Sequence, residues 1–410
     1  MAENKEKKVL NVPNLRFPEF EGEWEEHYLS DYLDFKNGLN PKPERFGKGI
    51  RFISVMDILN NAVITNDCIR ASVDVSEEEL LSFCVENGDI LFQRSSETLE
   101  DVGRANVYMD NKPAVFGGFV IRGKKKAEYD PLFFRYLLAS PFARKKIIPM
   151  GAGAQHFNIG QEGLNKVKLH FALLDEQKKI ARLLSLLDER IAIQNKIIDK
   201  LKSLIKGLNN HLYQQYGNEI ETSFADLGVS YSGLSGKTAT DFGSGKPFIT
   251  YLNVYSNNVI EETSYQYVRM GENEKQNIVR YGDVLFTLSS ETPEEVGIGS
   301  VFLGNQEVYL NSFCFGVHIT NIQKVFSPYL SYYISTTQFR KFIYPFAQGS
   351  TRFNLCKADF EKSKFKLPSL ENQKRIYESL KCLSGKVAAE DAILKQYHSQ
   401  KQYLLRQMFI

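Results

Sequence analysis

Residues 88–103 read GDILFQRSSETLEDVG and residues 282–297 read GDVLFTLSSETPEEVG, an offset of 194 with no gap inside the segment. The displacement persists along the chain. Phe52-Ile53 returns as Phe248-Ile249, Phe157-Asn158-Ile159 as Phe353-Asn354-Leu355, and Gln177-Lys178 as Gln373-Lys374, each 196 residues on. Asp130-Pro131-Leu132 returns as Ser327-Pro328-Tyr329 at 197, so small insertions account for the drift. A period near 196 lies far outside the roughly 20–50 residues of a solenoid unit. The chain must therefore fold as two similar halves related by an approximate internal two-fold. Its 410 residues are also too many for one ordinary core.

Each half has two parts. The first, 21–173 and 217–368, mixes short β-rich runs such as Asp89–Phe92 with helical stretches such as Leu132–Lys146, separated by Gly and Asn turns. This pattern predicts an α+β domain. The second part, 174–216 and 369–410, predicts a long helix, and residues 1–20 form an N-terminal extension. Apolar side chains recur at Ile180, Leu184, Leu187, Ile191, Ile198, Leu201, Ile205, Leu208 and Leu212, with Gln194 as the one polar member of the series. Steps alternating four and three make a coiled-coil seam. The second seam runs Ile376, Leu380, Leu383, Val387, Glu390, Leu394, Tyr397, Lys401, Leu404, Met408, and Lys401 is expected to weaken it. About 40 residues at 1.5 Å rise make a rod of about 60 Å, longer than a helix that only caps its own domain needs. The expected architecture is two similar α+β domains separated by two long antiparallel coiled-coil helices.

The composition excludes several function classes. Fifty-one Lys+Arg against 49 Asp+Glu leave a formal net charge of +2, so the chain is not coated in basic residues. Five scattered cysteines show no C-x-x-C spacing, which speaks against a zinc ribbon or a disulfide scaffold and for a reducing cytoplasm. The charged start MAENKEKKVLNVPNL lacks a signal-peptide core, and no run approaches the ~18 apolar residues of a membrane helix. A soluble, cytoplasmic protein without a membrane partner is expected.

Enzymatic signatures fail one by one. Gly236-Lys237-Thr238 would end a phosphate-binding loop only with glycine at 231, where Tyr231 stands. Gly243-Ser244-Gly245-Lys246 runs into Pro247, which has no N–H to offer a phosphate. Gly151-Ala152-Gly153 lacks the third glycine of a dinucleotide fingerprint, and the six histidines have no metal-ligand spacing. Glu97 and Glu291 sit in duplicated loops, where a carboxylate orders turns by accepting from nearby N–H groups. No catalytic residue, metal site or cofactor site is assigned to the chain.

The duplicated loops are the candidate contact surfaces. Gln93, Arg94, Ser95, Ser96 and Thr98 in the first half correspond to Thr287, Leu288, Ser289, Ser290 and Thr292 in the second. Short hydroxyl side chains can hydrogen-bond phosphates or base edges. Arg94 is suited to bidentate contact with guanine, whereas Leu288 can make only apolar contact, as with a thymine methyl. A second loop changes likewise, from Gln155-His156 to Thr351-Arg352 between a shared Gly and a shared Phe-Asn. Phe157 and Phe353 are expected as buried anchors, Asn158 and Asn354 as turn-formers, and Lys124-Lys125-Lys126 as a phosphate patch. One frame with different polar residues is what two readers with different targets require.

The duplication, the long helices, the opening Leu15-Arg16-Phe17-Pro18 with Gly22-Glu23-Trp24, and the helix starts Leu174-Asp175-Glu176-Gln177-Lys178-Lys179-Ile180 and Leu370-Glu371-Asn372-Gln373-Lys374-Arg375-Ile376 together resemble the specificity subunits of type I restriction-modification systems. The resemblance covers nearly the whole chain. It implies a non-catalytic subunit whose two target-recognition domains each read one half of an asymmetric bipartite site in double-stranded DNA. The helices would set the spacing and dock two modification subunits, which carry S-adenosylmethionine and methylate adenine at N6. Restriction subunits would supply ATP- and Mg-dependent translocation and cleavage. The chain itself lacks the Asn/Asp-Pro-Pro-aromatic motif of adenine methyltransferases, which speaks against a stand-alone enzyme. The competing reading is a two-headed protein-binding adaptor spaced by the same helices, which would need exposed apolar patches on its heads.

Overall fold

The repeated Gly-Asp-x-Leu-Phe run becomes the central strand of each half. Ile90–Gln93 and Val284–Thr287 are buried on both faces, so the sequence reads as a continuous apolar run instead of alternating. Successive side chains still point to opposite faces. Ile90 and Phe92 enter one core with Phe133 and Leu137, while Leu91 enters another with Ile53, Tyr108 and Phe116. Val284 and Phe286 divide from Leu285 in the same way. Gly88 (φ 93°) and Gly282 (φ 87°) turn the chain into this strand through the left-handed region. The following aspartates hold the turn, Asp89 accepting from the N–H groups of Glu86 and Lys125, Asp283 from that of Arg280.

The structure, a computed structural model, describes residues 11–410. Residues 1–10 of the expected N-terminal extension lie outside the described residues. The chain divides into two compact units, one running to Asn195 and including Ala392–Ile410, the other comprising Lys196–Asp391. In the first unit a four-stranded antiparallel sheet is ordered Leu33–Asn37, Val120–Lys125, Ile90–Gln93, Ala105–Val107. A smaller sheet centres on Phe46–Ile53, antiparallel to Ser72–Val73 and parallel to Ala114–Phe116. The second unit repeats both: Gly228–Ser232, Cys314–Ile319, Val284–Thr287, Gly299–Val301, and then Phe242–Ile249 between Gln266–Val268 and Tyr309–Leu310. The domains are α+β, as expected.

Two long helices, Leu174–Tyr216 and Leu370–Gln407, follow the two domains. Each of the twenty seam positions named above is buried or half-buried. In the first unit Ile180, Leu184 and Leu187 share a core with Leu404 and Met408. Trp24 donates to Glu176 (3.2 Å) and stacks edge-on against Phe409, whereas Asp188 meets Lys401 (2.5 Å). Ascending one helix thus descends the other, and the pair is antiparallel. The second unit shows the same sense: Tyr213 reaches Lys366 O, and Asn209 reaches Tyr332, whose hydroxyl meets Ser384. The end of the second helix therefore completes the core of the first domain and does not cap its own.

Lys401 does not weaken its seam as a bare charge would. Asp188 pairs with both Lys401 and Arg135 and accepts from the Tyr136 hydroxyl. The shared Gln-Lys at the helix starts also gains a reason. Gln177 accepts from Asp130 N–H (3.0 Å) and donates to Ala172 O (2.9 Å); Gln373 accepts from Phe326 N–H (2.8 Å) and donates to Pro368 O (2.9 Å). Each buried amide fastens the helix start to its domain.

Candidate functional site

Beyond Gln93 the chain leaves the central sheet and forms a small ribbon. Ser95–Ser96 pairs antiparallel with Phe157–Asn158, Ser96 opposite Phe157 and Ser95 opposite Asn158. The two repeated loops, some 60 residues apart in sequence, are one site. The Ser95 hydroxyl donates to Asn158 Oδ1 (2.5 Å). Arg94 is held on three sides: its N–H donates to Phe119 O, its carbonyl accepts from Ile159, and its guanidinium donates to Gly118 O (3.2 Å). Thr98 is exposed, its hydroxyl on Asp101 (2.8 Å), and Gln155 and His156 are exposed in the other loop. Behind the loop, Arg144 donates to the carbonyls of Glu100 (2.8 Å) and Val102 (2.6 Å). Burial lowers this guanidinium to about 10.

The second unit builds the same ribbon, with Ser289 opposite Asn354 and Ser290 opposite Phe353, and adds the strand Ala347–Gln348. Its side chains differ. Arg352 donates to Ser289 Oγ (3.3 Å) and lies 6.0 Å from the Phe313 ring centroid. Tyr251 donates to Ser289 O (2.8 Å), and Tyr255 to Glu295 (2.7 Å), which also accepts from Ser290 (3.1 Å). Those hydrogen bonds, Tyr255 first, hold the Glu295 carboxyl below its ordinary range. A cavity of about 590 Å³ opens here between Leu252, Tyr251, Tyr255, Glu291, Thr351 and Arg352. Arg340 repeats the support of Arg144, donating to the carbonyls of Glu294, Val296 and Gly297.

Several expected contacts are corrected. Gln93 (5% exposed) donates to Ser95 O, and Thr287 (0%) to Ile298 O, so both belong to the core side of the strand and not to the contact surface. Ser289 (5%) and Ser290 (7%) are covered too, and their hydroxyls order the ribbon. Leu288 packs at the edge of the second unit's core, turned away from the role of an apolar reader. Thr292, Thr351 and Arg352 are exposed, and Arg94, Ser95 and Ser96 half-exposed. Phe157 and Phe353 are half-buried at the core edges, and Asn158 and Asn354 are strand residues, not turn-formers. The carboxylates that order the loops are Asp101 and Glu295; Glu97 and Glu291 face solvent. In the lysine run, Lys124 is paired with Glu86 (2.8 Å) and Lys125 with Tyr129 O (3.2 Å), while Lys126 is exposed.

Residues the sequence did not point to complete each site. The helices Val55–Asn60 and Tyr251–Ser256 present Met56 (60% exposed) and Leu252 (68%), and the turns before Val120 and Cys314 present Phe119 (68%) and Phe313 (57%). Each pair is equivalent under the repeat. The phenylalanines precede strands and read as their first apolar residue, so only the repeated Gly117-Gly118 and Asn311-Ser312 turns could have signalled them. Among the described residues no three His, Cys, Asp or Glu side chains gather to hold a metal ion, and no helix is long and apolar enough to cross a membrane.

The family model of the type I restriction modification DNA specificity domain matches residues 21–203 and again 235–396, once in each half. The chain belongs to this family. A relative from Methanocaldococcus jannaschii, named for the MjaX type I restriction enzyme specificity subunit, is 23% identical, covering 97% of this chain and 95% of its own. The crystal structure of a type I restriction-modification S subunit from M. genitalium is similar over 97% of this chain and 99% of that one, at 15% identity and a TM-score of 0.52. A chain from a structure of type I restriction-modification complex assembly and conformational transition is similar over 93% and 96%, at 15% identity and a TM-score of 0.57. These likenesses show the fold. Membership makes the chain a DNA-specificity subunit with two target-recognition domains, non-catalytic in itself. The protein-adaptor reading is thereby set aside.

Proposed function

We propose that the first site, Arg94 with Ser95, Ser96, Thr98, Gln155 and His156, reads one half of a split DNA site, and that Thr292, Thr351 and Arg352 read the other. The observation that carries this is one backbone ribbon with exchanged side chains: the arginine comes from the Ser-Ser strand in the first unit and from the opposite loop in the second. Arginine hydrogen-bonds guanine edges in the major groove, and hydroxyls and amides serve either bases or phosphates. Two unlike readers require an asymmetric site. Two modification subunits carrying S-adenosylmethionine bind this chain and methylate adenine at N6, and restriction subunits supply the ATP-dependent steps, all in the cytoplasm. This chain holds no cofactor. Its near-neutral charge supports reliance on partner subunits for much of the phosphate contact, so binding by the chain alone is weak.

A single-molecule methylome of cells carrying the modification subunit, with and without this gene, tests the proposal. A new N6-methyladenine signal in a split, asymmetric motif is expected. No new motif, with a competent partner verified, would overturn it.

A further inference from the structure

We infer that Phe119 and Phe313 are paired aromatic wedges that pack against base pairs of the two half-sites without discriminating sequence. The inference rests on the DNA-reading assignment above and adds residues and a role to it.

The two rings are 68% and 57% exposed. Burying such a side chain stabilises a fold, so leaving one in water at both equivalent positions is not what folding alone favours. Each is fixed in place by its own backbone: Phe119 O accepts the N–H of Arg94, and Phe313 O accepts that of Leu288, both at 2.9 Å. The rings therefore stand at the root of each candidate ribbon. In each unit an arginine lies beside them, Arg94 on Gly118 O and Arg352 over the Phe313 ring.

Their sameness is the informative part. Around them Arg94 gives way to Leu288, His156 to Arg352, and Val55 and Leu59 to Tyr251 and Tyr255. A residue common to two readers of different sequences cannot tell those sequences apart. It can supply a contact that every base step offers. Every base has a face on which an aromatic ring can stack, whatever the sequence. Arginine beside the ring supplies the charge that brings a phosphate or base edge close.

The test uses the assembled complex with its modification subunits and a duplex carrying the methylated motif. Phe119→Ala and Phe313→Ala are each compared with wild type for duplex affinity, for methylation of each strand, and for sequence preference on a randomised library. Each variant is expected to weaken binding roughly 5- to 150-fold, the range for losing one base–aromatic stack, with preference unchanged and Phe→Trp restoring affinity. Unchanged affinity with normal wild-type methylation overturns the wedge and leaves the DNA-reading assignment standing. Altered preference at one half-site also overturns it, because the ring would then be a reader. Loss of the modification subunit from the complex on size exclusion overturns it in favour of a protein contact. A wild-type complex that methylates no split motif removes the assignment itself.

Discussion

The two units carry one backbone under two sets of polar side chains, and what is kept differs in kind from what is exchanged. Kept are the Gly-Asp turn, the doubly buried strand, the Ser-Ser/Phe-Asn ribbon, the arginine behind the loop and the exposed phenylalanine. Exchanged are the residues at the rim, where Arg94 and His156 face Leu288 and Arg352. Apart from the exposed phenylalanine, the kept residues satisfy buried backbone or fill cores, and neither task depends on the target. Specificity can then drift at the rim without disturbing the fold.

The helix starts break this symmetry most sharply. Glu176 (1% exposed) accepts from Nε and Nη2 of Arg16, each at 2.8 Å, and from the Trp24 indole. Its counterpart Asn372 instead donates to the exposed Glu219 (2.7 Å). Arg16→Ala leaves a buried carboxylate with one donor and is expected to destabilise the first unit by about 3–5 kcal/mol. Asn372→Ala is expected to leave thermal unfolding of the full chain nearly unchanged. Equal losses in the two variants would show that the starts are equivalent after all.

The loop-supporting arginines sharpen the comparison on a smaller scale. Arg340 serves three carbonyls and Arg144 two. Arg340→Ala should cost about 3 kcal/mol and Arg144→Ala about 2 kcal/mol, from stranded acceptors. Chemical denaturation of the two variants measures the gap, and a reversed order would mean that water replaces these bonds freely.

Recognition follows. Arg94→Ala and Arg352→Ala should each relax preference at one half-site by roughly 5- to 150-fold, the worth of one bidentate base contact. The other half-site should stay as it was. Methylation on randomised sites reads both at once; relaxation of both halves by one variant would end the modular reading.

Much of the fold was legible because its signals are local and doubled. The 4-3 spacing from Ile180 to Leu212 and the Gly-Asp-x-Leu-Phe strand each specify an element from neighbouring residues alone. The site was half legible. Nothing local in Ser95 says that Asn158 lies opposite, since pairing across 60 residues is decided by the whole domain. The burial of Ser289 and Ser290 depends on Tyr251 and Tyr255, which arrive on a separate helix. Gln93 and Thr287 end strands so central that even polar residues there remain inside.

The smallest expected effect concerns acid. Among the described residues each unit holds one glutamate at about 2, by different means. Arg45 and the N–H of Ser76 depress Glu79 on the helix Glu77–Phe83, whereas the Gly271 N–H and Lys237 depress Glu274 in a loop. A depressed carboxyl contributes stability that is present above its ordinary value and is lost as pH falls from 4.5 towards 2. Asp89 and Asp283, raised by burial, act with the opposite sign: their contribution is present below the ordinary 3.8 and is lost as pH rises from there through the raised native value. Both glutamates face solvent, so salt screening keeps the effect small. Glu79→Gln and Glu274→Gln should each lower Tm slightly at pH 6 and flatten its decline between pH 4.5 and 2. An unchanged decline in one variant alone would show that helix and loop do not hold the carboxylate equally, and that the two units differ below the rim as well as at it.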